Sequence, residues 1–187
     1  MERVLKNNAG RWHSTPWRIA AWSTAAALML LPITVQLVSG NFGWTTGDFI
    51  FAAIILLVSC SLFDWVARKS PNFSYLAGGA AALAAGFGLL VVNGAVGLVG
   101  SEDENHNLLF LAVILVAILG AILARGRPVQ MARAMAAAAV THIVISTVLL
   151  VRAGGVSDGD PMAEVVGLSV FAAVWLASAG LFRNAAR

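Results

Sequence analysis

The chain has 187 residues, 59% of them hydrophobic and 11% charged, with a mean hydropathy of +0.84. A soluble domain of this size carries about 25% charged residues, so 12 basic and 9 acidic side chains exclude a soluble enzyme, a disordered chain or a nucleic-acid-binding module. The basic residues lie between long apolar runs and form no single solvated patch, so a pI near 9.8 does not point to nucleic acid.

A helix crosses ~30 Å of hydrocarbon with about 20 mostly apolar residues. Charge-free runs place six such spans at roughly 17–39, 46–67, 73–99, 107–125, 129–151 and 163–183. The runs are continuous and rich in Ala and Leu, unlike the alternating ten-residue segments of a β-barrel. The expectation is an all-α, polytopic transmembrane bundle of six helices, with residues 1–187 as a single transmembrane domain. The first span is longer than a signal-peptide core and reads as an uncleaved anchor.

Charge placement orients the spans. Arg3, Lys6, Arg11 and Arg18, then Arg68 and Lys69, then Arg125, Arg127 and Arg133, then Arg183 and Arg187 fall on one side, and only Arg152 on the other. Basic residues mark the cytoplasmic side, so both termini are expected there. Trp12, Trp17 and Trp65 lie at that boundary and Trp44 at the opposite one, as an interfacial aromatic belt requires. Trp175 falls mid-span, where it either packs between helices or faces lipid.

Basic residues close the even spans at Arg68, Arg125 and Arg183, and Ser61–Arg68 resembles Gly180–Arg187. Three hairpins in direct repeat explain this, as does any chain of tight transmembrane hairpins. Small residues recur at four-residue spacing: Gly78, Ala82 and Gly86; Ala84 and Gly88; Ala117 and Ala121; Gly120 and Ala124; Ser169, Ala173 and Ala177. Such stripes let helices approach closely in lipid, within the bundle or between copies.

Ionisable and polar groups inside spans are costly and mark candidate sites. Asp64 is four residues from Arg68, the spacing of a helical ion pair. Asp48 follows Trp44-Thr45-Thr46-Gly47, where a carboxylate caps a helix N-terminus or opens an outer vestibule. His142, Asn93, Gln36 and Asp48 form a candidate polar cluster for a proton relay or a small polar ligand. The alternative for His142, Asn93 and Gln36 is helix–helix hydrogen bonding. Glu102, Asp103, Glu104, Asp160 and Glu164 form a candidate acidic outer loop, with Asp158 among them. It either attracts cations and holds a divalent ion through oxygen ligands, or follows passively from keeping bases on the other side. Cys60 is the single cysteine, so no internal disulfide forms. No Cys/His spacing suits zinc. His13, His106 and His142 lie at inner, outer and middle depths, so no pair suits a bundle haem, and no cofactor is expected. Neither a nucleophile motif nor a phosphate loop is present, and enzymatic activity is not expected.

Asn41-Phe42-Gly43-Trp44-Thr45-Thr46-Gly47-Asp48-Phe49, Val99-Gly100-Ser101-Glu102-Asp103-Glu104-Asn105, Phe171-Ala172-Ala173-Val174-Trp175 and Leu181-Phe182-Arg183 resemble a family of small, uncharacterised bacterial inner-membrane proteins. The resemblance runs from the first span to the C-terminus. Family members read N-W-T-x-x-D-F after the first helix and G-S-E-D-N-x-x-N after the third. Here Gly43 is an extra residue before Trp44, and Glu104 stands where the second pattern often has Asn. The resemblance implies a bacterial inner membrane and no particular activity. The expected function is a non-catalytic subunit or scaffold of a membrane assembly, with the bilayer, other membrane subunits or further copies as partners. The alternative is a small transporter or channel for a cation, a proton or a small polar solute.

Overall fold

The computed structural model describes residues 2–40, 43–70, 72–95, 97–100, 105–153 and 161–187, with side chains described from residue 16 onward except at 161. It is all-α. Six helices, α1 (Glu2–Ser39), α2 (Thr46–Lys69), α3 (Phe73–Ala95), α4 (Phe110–Ala124), α5 (Pro128–Ala153) and α6 (Pro161–Asn184), are joined by short connections, with a 3₁₀ turn at Asn105–Leu109 before α4. Each has a segment long and apolar enough to cross a membrane, counting that turn with α4, which marks a multi-pass membrane protein.

Local chemistry sets the helix ends. Thr45 and Asp48 form a reciprocal capping box at the start of α2: Thr45 N donates to Asp48 Oδ2 at 2.7 Å, and Asp48 N donates to Thr45 Oγ1 at 3.3 Å. Arg68 and Lys69 close α2, where cations complement the negative helix end. Asn72 Oδ1 accepts from Tyr75 N at 3.2 Å and so caps α3. Pro128 and Pro161 open α5 and α6, positions where a missing N–H costs nothing.

The helices gather into two compact units, residues 1–71 and 72–187. In the first, α1 and α2 run antiparallel. Cys60 Sγ donates to the Ala21 carbonyl at 3.6 Å, and Arg18 pairs with Asp64 through two guanidinium nitrogens. Arg68 completes a triad on the same carboxylate at 2.9 Å. The ion pair expected from spacing is present, and Arg18 joins it from the neighbouring helix. Cys60 is buried, whereas Trp17 and Trp65 are exposed.

In the second unit α3 packs chiefly on α6, α6 on α5, and α5 on α4. Three equivalent hairpins would pair α3 chiefly with α4. The α3–α6 seam fits large residues against small ones. A methyl on Gly78 would meet the Phe182 ring at 3.1 Å, one on Gly88 would meet Phe171 at 3.0 Å, and Gly86 lies beneath Trp175. Trp175 is thus buried between helices. The Ser169, Ala173 and Ala177 stripe instead lies on the exposed side of α6. Close approach on this helix is made by the glycines of its partner.

The third span ends earlier than its apolar run. Helix α3 stops at Ala95, and Gly97–Gly100 bends back with Leu98 and Val99 buried. Gly97 and Gly100 both have a φ of +74°, a conformation that favours glycine. Buried backbone needs hydrogen-bond partners, and Asn107 supplies them. Its Oδ1 accepts from Leu98 N at 3.3 Å and Val99 N at 3.1 Å, and its Nδ2 donates to Val99 O at 3.1 Å. Replacing Asn107 with Ala leaves two amides and a carbonyl without this partner, at about 1–3 kcal/mol per group left unsatisfied. We expect at least tenfold faster hydrogen exchange at the Leu98 and Val99 amides, read by mass spectrometry, with α5 unchanged.

Candidate functional site

The polar groups of the second unit form a seam through its helix contacts. Ser178 Oγ on α6 donates to the Gly78 carbonyl of α3 at 2.7 Å. His142 on α5 is fully buried, and its Nε2 lies 3.0 Å from the Leu168 carbonyl of α6. A carbonyl only accepts, so Nε2 donates this bond, and Nδ1 is left without a partner. Phe110 and Phe171 flank the imidazole, with centroids at 5.5 and 6.2 Å. At the end of the unit where α3 leads into α4, Gly100 N donates to Glu164 Oε1 at 2.9 Å, and His106 Nε2 contacts the Val99 carbonyl at 3.0 Å.

Four side-chain atoms of this unit, Asn93 Oδ1, His142 Nδ1, Ser146 Oγ and Trp175 Nε1, are buried without a hydrogen-bond partner. Ser146 stands out on α5. Thr141 and Thr147 donate to the carbonyls four residues back, at 2.9 and 2.8 Å, the usual habit of helical hydroxyls. Ser146 does not, and it stands one turn from His142 on the same face. Helix register brings Asn93 near this depth: Gly88 lies against Phe171, and Asn93 is five residues beyond Gly88 toward the C-terminal end of α3. No hydrogen bond joins Asn93 to His142, since His142 Nδ1 has no partner and Nε2 is spent on Leu168.

Gln36 and Asp48 belong to the first unit. The pairing of Ala21 with Cys60 and Arg18 with Asp64 sets the register of α1 on α2. It places Gln36 opposite the start of α2, within about a turn of Asp48. Gln36 Oε1 is buried and unbonded, whereas Asp48 is exposed and engaged by Thr45 alone among the described residues. Of the acidic outer loop, Glu102, Asp103, Glu104 and Asp160 lie outside the described residues; Glu164 is described and holds Gly100. No group of three or more His, Cys, Asp or Glu side chains among the described residues is placed to hold a metal ion.

Sequence reasoning missed Tyr75, Asn107 and Ser178. Tyr75, the single tyrosine of the chain, is fully buried at the start of α3. Its hydroxyl donates to the Gly126 carbonyl in the α4–α5 turn at 2.9 Å, and its ring meets Phe182 of α6 edge-on at 5.0 Å. Tyr75→Phe keeps the ring contact and loses the hydroxyl bond. We expect it to cost about 1 kcal/mol, seen as a small drop in melting temperature in detergent. Compared with known proteins, the chain matches no family model, no curated protein and no solved structure.

Proposed function

We propose that this chain is a non-catalytic subunit or scaffold of a membrane assembly, seated in a bacterial inner membrane with both termini cytoplasmic. The observation that carries the reading is how the polar groups in the spans are used. Ser178 and the Nε2 face of His142 each end on the backbone of a neighbouring helix, Asp48 on its own helix cap, and Asp64 on two arginines. The Ser178 and His142 bonds join neighbouring helices at about 0.6 kcal/mol each, and these four groups, already engaged, leave little to bind a passing solute. The placement of basic residues supports the orientation, and the outer-loop motifs support the bacterial inner membrane. Purification from native membranes in mild detergent tests the reading. The expected result is a complex of fixed stoichiometry, with further copies or with other membrane subunits. A monodisperse monomer at every detergent concentration contradicts it.

A second reading is a small transporter for a proton or a small polar solute. It rests on the unbonded His142 Nδ1 and Ser146 Oγ, with Asn93 Oδ1 near the same depth.

A further inference from the structure

One end of the second unit is charged in a way that sets it apart. Arg125, Arg127, Arg133, Arg183 and Arg187 all lie on the α4–α5 turn, the first turns of α5 or the end of α6, and all five are exposed. Residues 72–76, 122–135 and 179–187, which make up this end, contain no Asp, Glu or Lys. Every carboxylate side chain of residues 72–187 falls in sequence at 102–104 or 158–164, and the one among the described residues, Glu164, lies in the first turn of α6, at the other end of that helix from Arg183. The basic end of the first unit differs. There Asp64 bonds both Arg18 and Arg68, and Lys69 lies over Trp65 at 4.8 Å.

The arginines are gathered by built structure. Tyr75 ties the start of α3 to Gly126, the residue between Arg125 and Arg127, and packs on Phe182, the neighbour of Arg183. Asn184 Nδ2 donates to Ser74 Oγ at 3.2 Å across the same end. Arg125 also occupies a costly position. Its φ of 49° makes it the one non-glycine residue with positive φ among the described residues. A helix normally places Gly or Asn there, and a side chain with a Cβ pays for the left-handed conformation. The first turn of α5 adds backbone N–H groups at a positive helix end beside Arg127.

We propose that this arginine face binds the phosphate groups of anionic phospholipids in the adjoining leaflet, through guanidinium forks as well as net charge. Five arginines on an end of this unit to which residues 72–76, 122–135 and 179–187 add no carboxylate side chain complement a negatively charged headgroup layer. The planar guanidinium matches phosphate oxygens two at a time, which an ammonium does not. Retention of basic residues on one side of a membrane by topology alone explains the sign of the charge, but it treats lysine and arginine alike. That difference is the basis of the test.

The full chain is reconstituted in nanodiscs of phosphatidylglycerol and phosphatidylcholine, and the lipids retained on gentle release are counted by native mass spectrometry. Wild type is expected to enrich phosphatidylglycerol over its bulk fraction. Changing single arginines of the face to Gln is expected to lower that enrichment by up to roughly fivefold each. Changing all five to Lys is expected to leave an intermediate value, and Arg152→Gln at the opposite end of α5 to leave it unchanged. Thermal melts identify any variant that fails to fold, and the single Gln variants keep the test available if the fivefold Lys variant does. Inorganic phosphate at a concentration matching the lipid phosphate is expected not to displace the lipid. Equal retention of both lipids by wild type overturns the proposal. So does unchanged enrichment in the five-Lys variant, which leaves charge alone as the cause. Displacement by free phosphate overturns the lipid assignment. Binding of a poly-glutamate peptide without lipid enrichment gives the face to an acidic protein segment instead.

Discussion

Gly120→Leu lowers the melting temperature of the detergent-solubilised protein by several degrees. Gly120 on α4 faces Ala134 on α5. A Cβ at this position would stand 2.6 Å from the Ala134 Cβ and 3.2 Å from its Cα. The second of these is backbone, so no rotamer change relieves the contact and the two helices must separate. Overpacking of this kind costs about 1–3 kcal/mol, and a chain of this size loses about 2–4 °C per kcal/mol. The helix-propensity gain of replacing a glycine, under about 1 kcal/mol, offsets only part of that. Gly180→Ala is the control. It has nothing within 4 Å of the new methyl, so its melting temperature stays level or rises slightly. A Gly120→Leu protein that melts with wild type shows that α4 and α5 do not approach this closely.

His142→Ala produces the second large loss. The imidazole is fully buried between Phe110 and Phe171, with one nitrogen on the Leu168 carbonyl. Truncation removes its packing and leaves a cavity, at about 2–5 kcal/mol for a side chain of this size in a core. The Leu168 carbonyl loses a partner as well. His142→Phe restores most of the volume, and Leu168 lies in the interior of α6, so its carbonyl keeps a helical donor. The phenylalanine variant is therefore expected to recover more than half of the melting-temperature loss of His142→Ala. If both variants melt together, hydrogen bonding rather than packing dominates at this site.

The six spans were legible because charges are scarce and interrupt the apolar runs at nearly every helix end. The end of α3 shows the limit of that signal. The apolar run continues to Gly100, but the glycines at 97 and 100 take positive φ as the chain turns back, and Asn107 makes the bend tolerable by capturing its amides. Hydropathy does not report such a side-chain clamp. On α6 the small-residue stripe points to Ser169, Ala173 and Ala177, which are exposed. The packed stripe was also visible as Leu168, Phe171, Trp175, Ser178 and Phe182, spaced at three and four residues. Its significance depends on Gly78, Gly86 and Gly88 lying opposite, and sequence spacing does not say that α3 pairs with α6.

Among the polar candidates, local chemistry was legible and tertiary chemistry was not. The Thr45–Asp48 cap and the Asp64–Arg68 pair rest on spacings of three and four residues along one helix. Arg18 reaches the same Asp64 from 46 residues away, and Ser178 reaches Gly78 from 100. Neither partner can be chosen without the helix pairing. His142 was singled out for its depth in a span; the donor role of Nε2 follows only once Leu168 is seen to face it.

On the proposed function, the buried polar seam serves helix packing rather than passage of a solute. Ion and proton flux in reconstituted vesicles tests it most directly, with wild type and His142→Phe inserted at equal density. Proton, Na⁺ and K⁺ flux through wild-type vesicles is predicted to match protein-free vesicles, with no difference between the two proteins. A wild-type flux above that background which His142→Phe abolishes, while its melting temperature is retained, contradicts the claim and makes His142 part of a transport path.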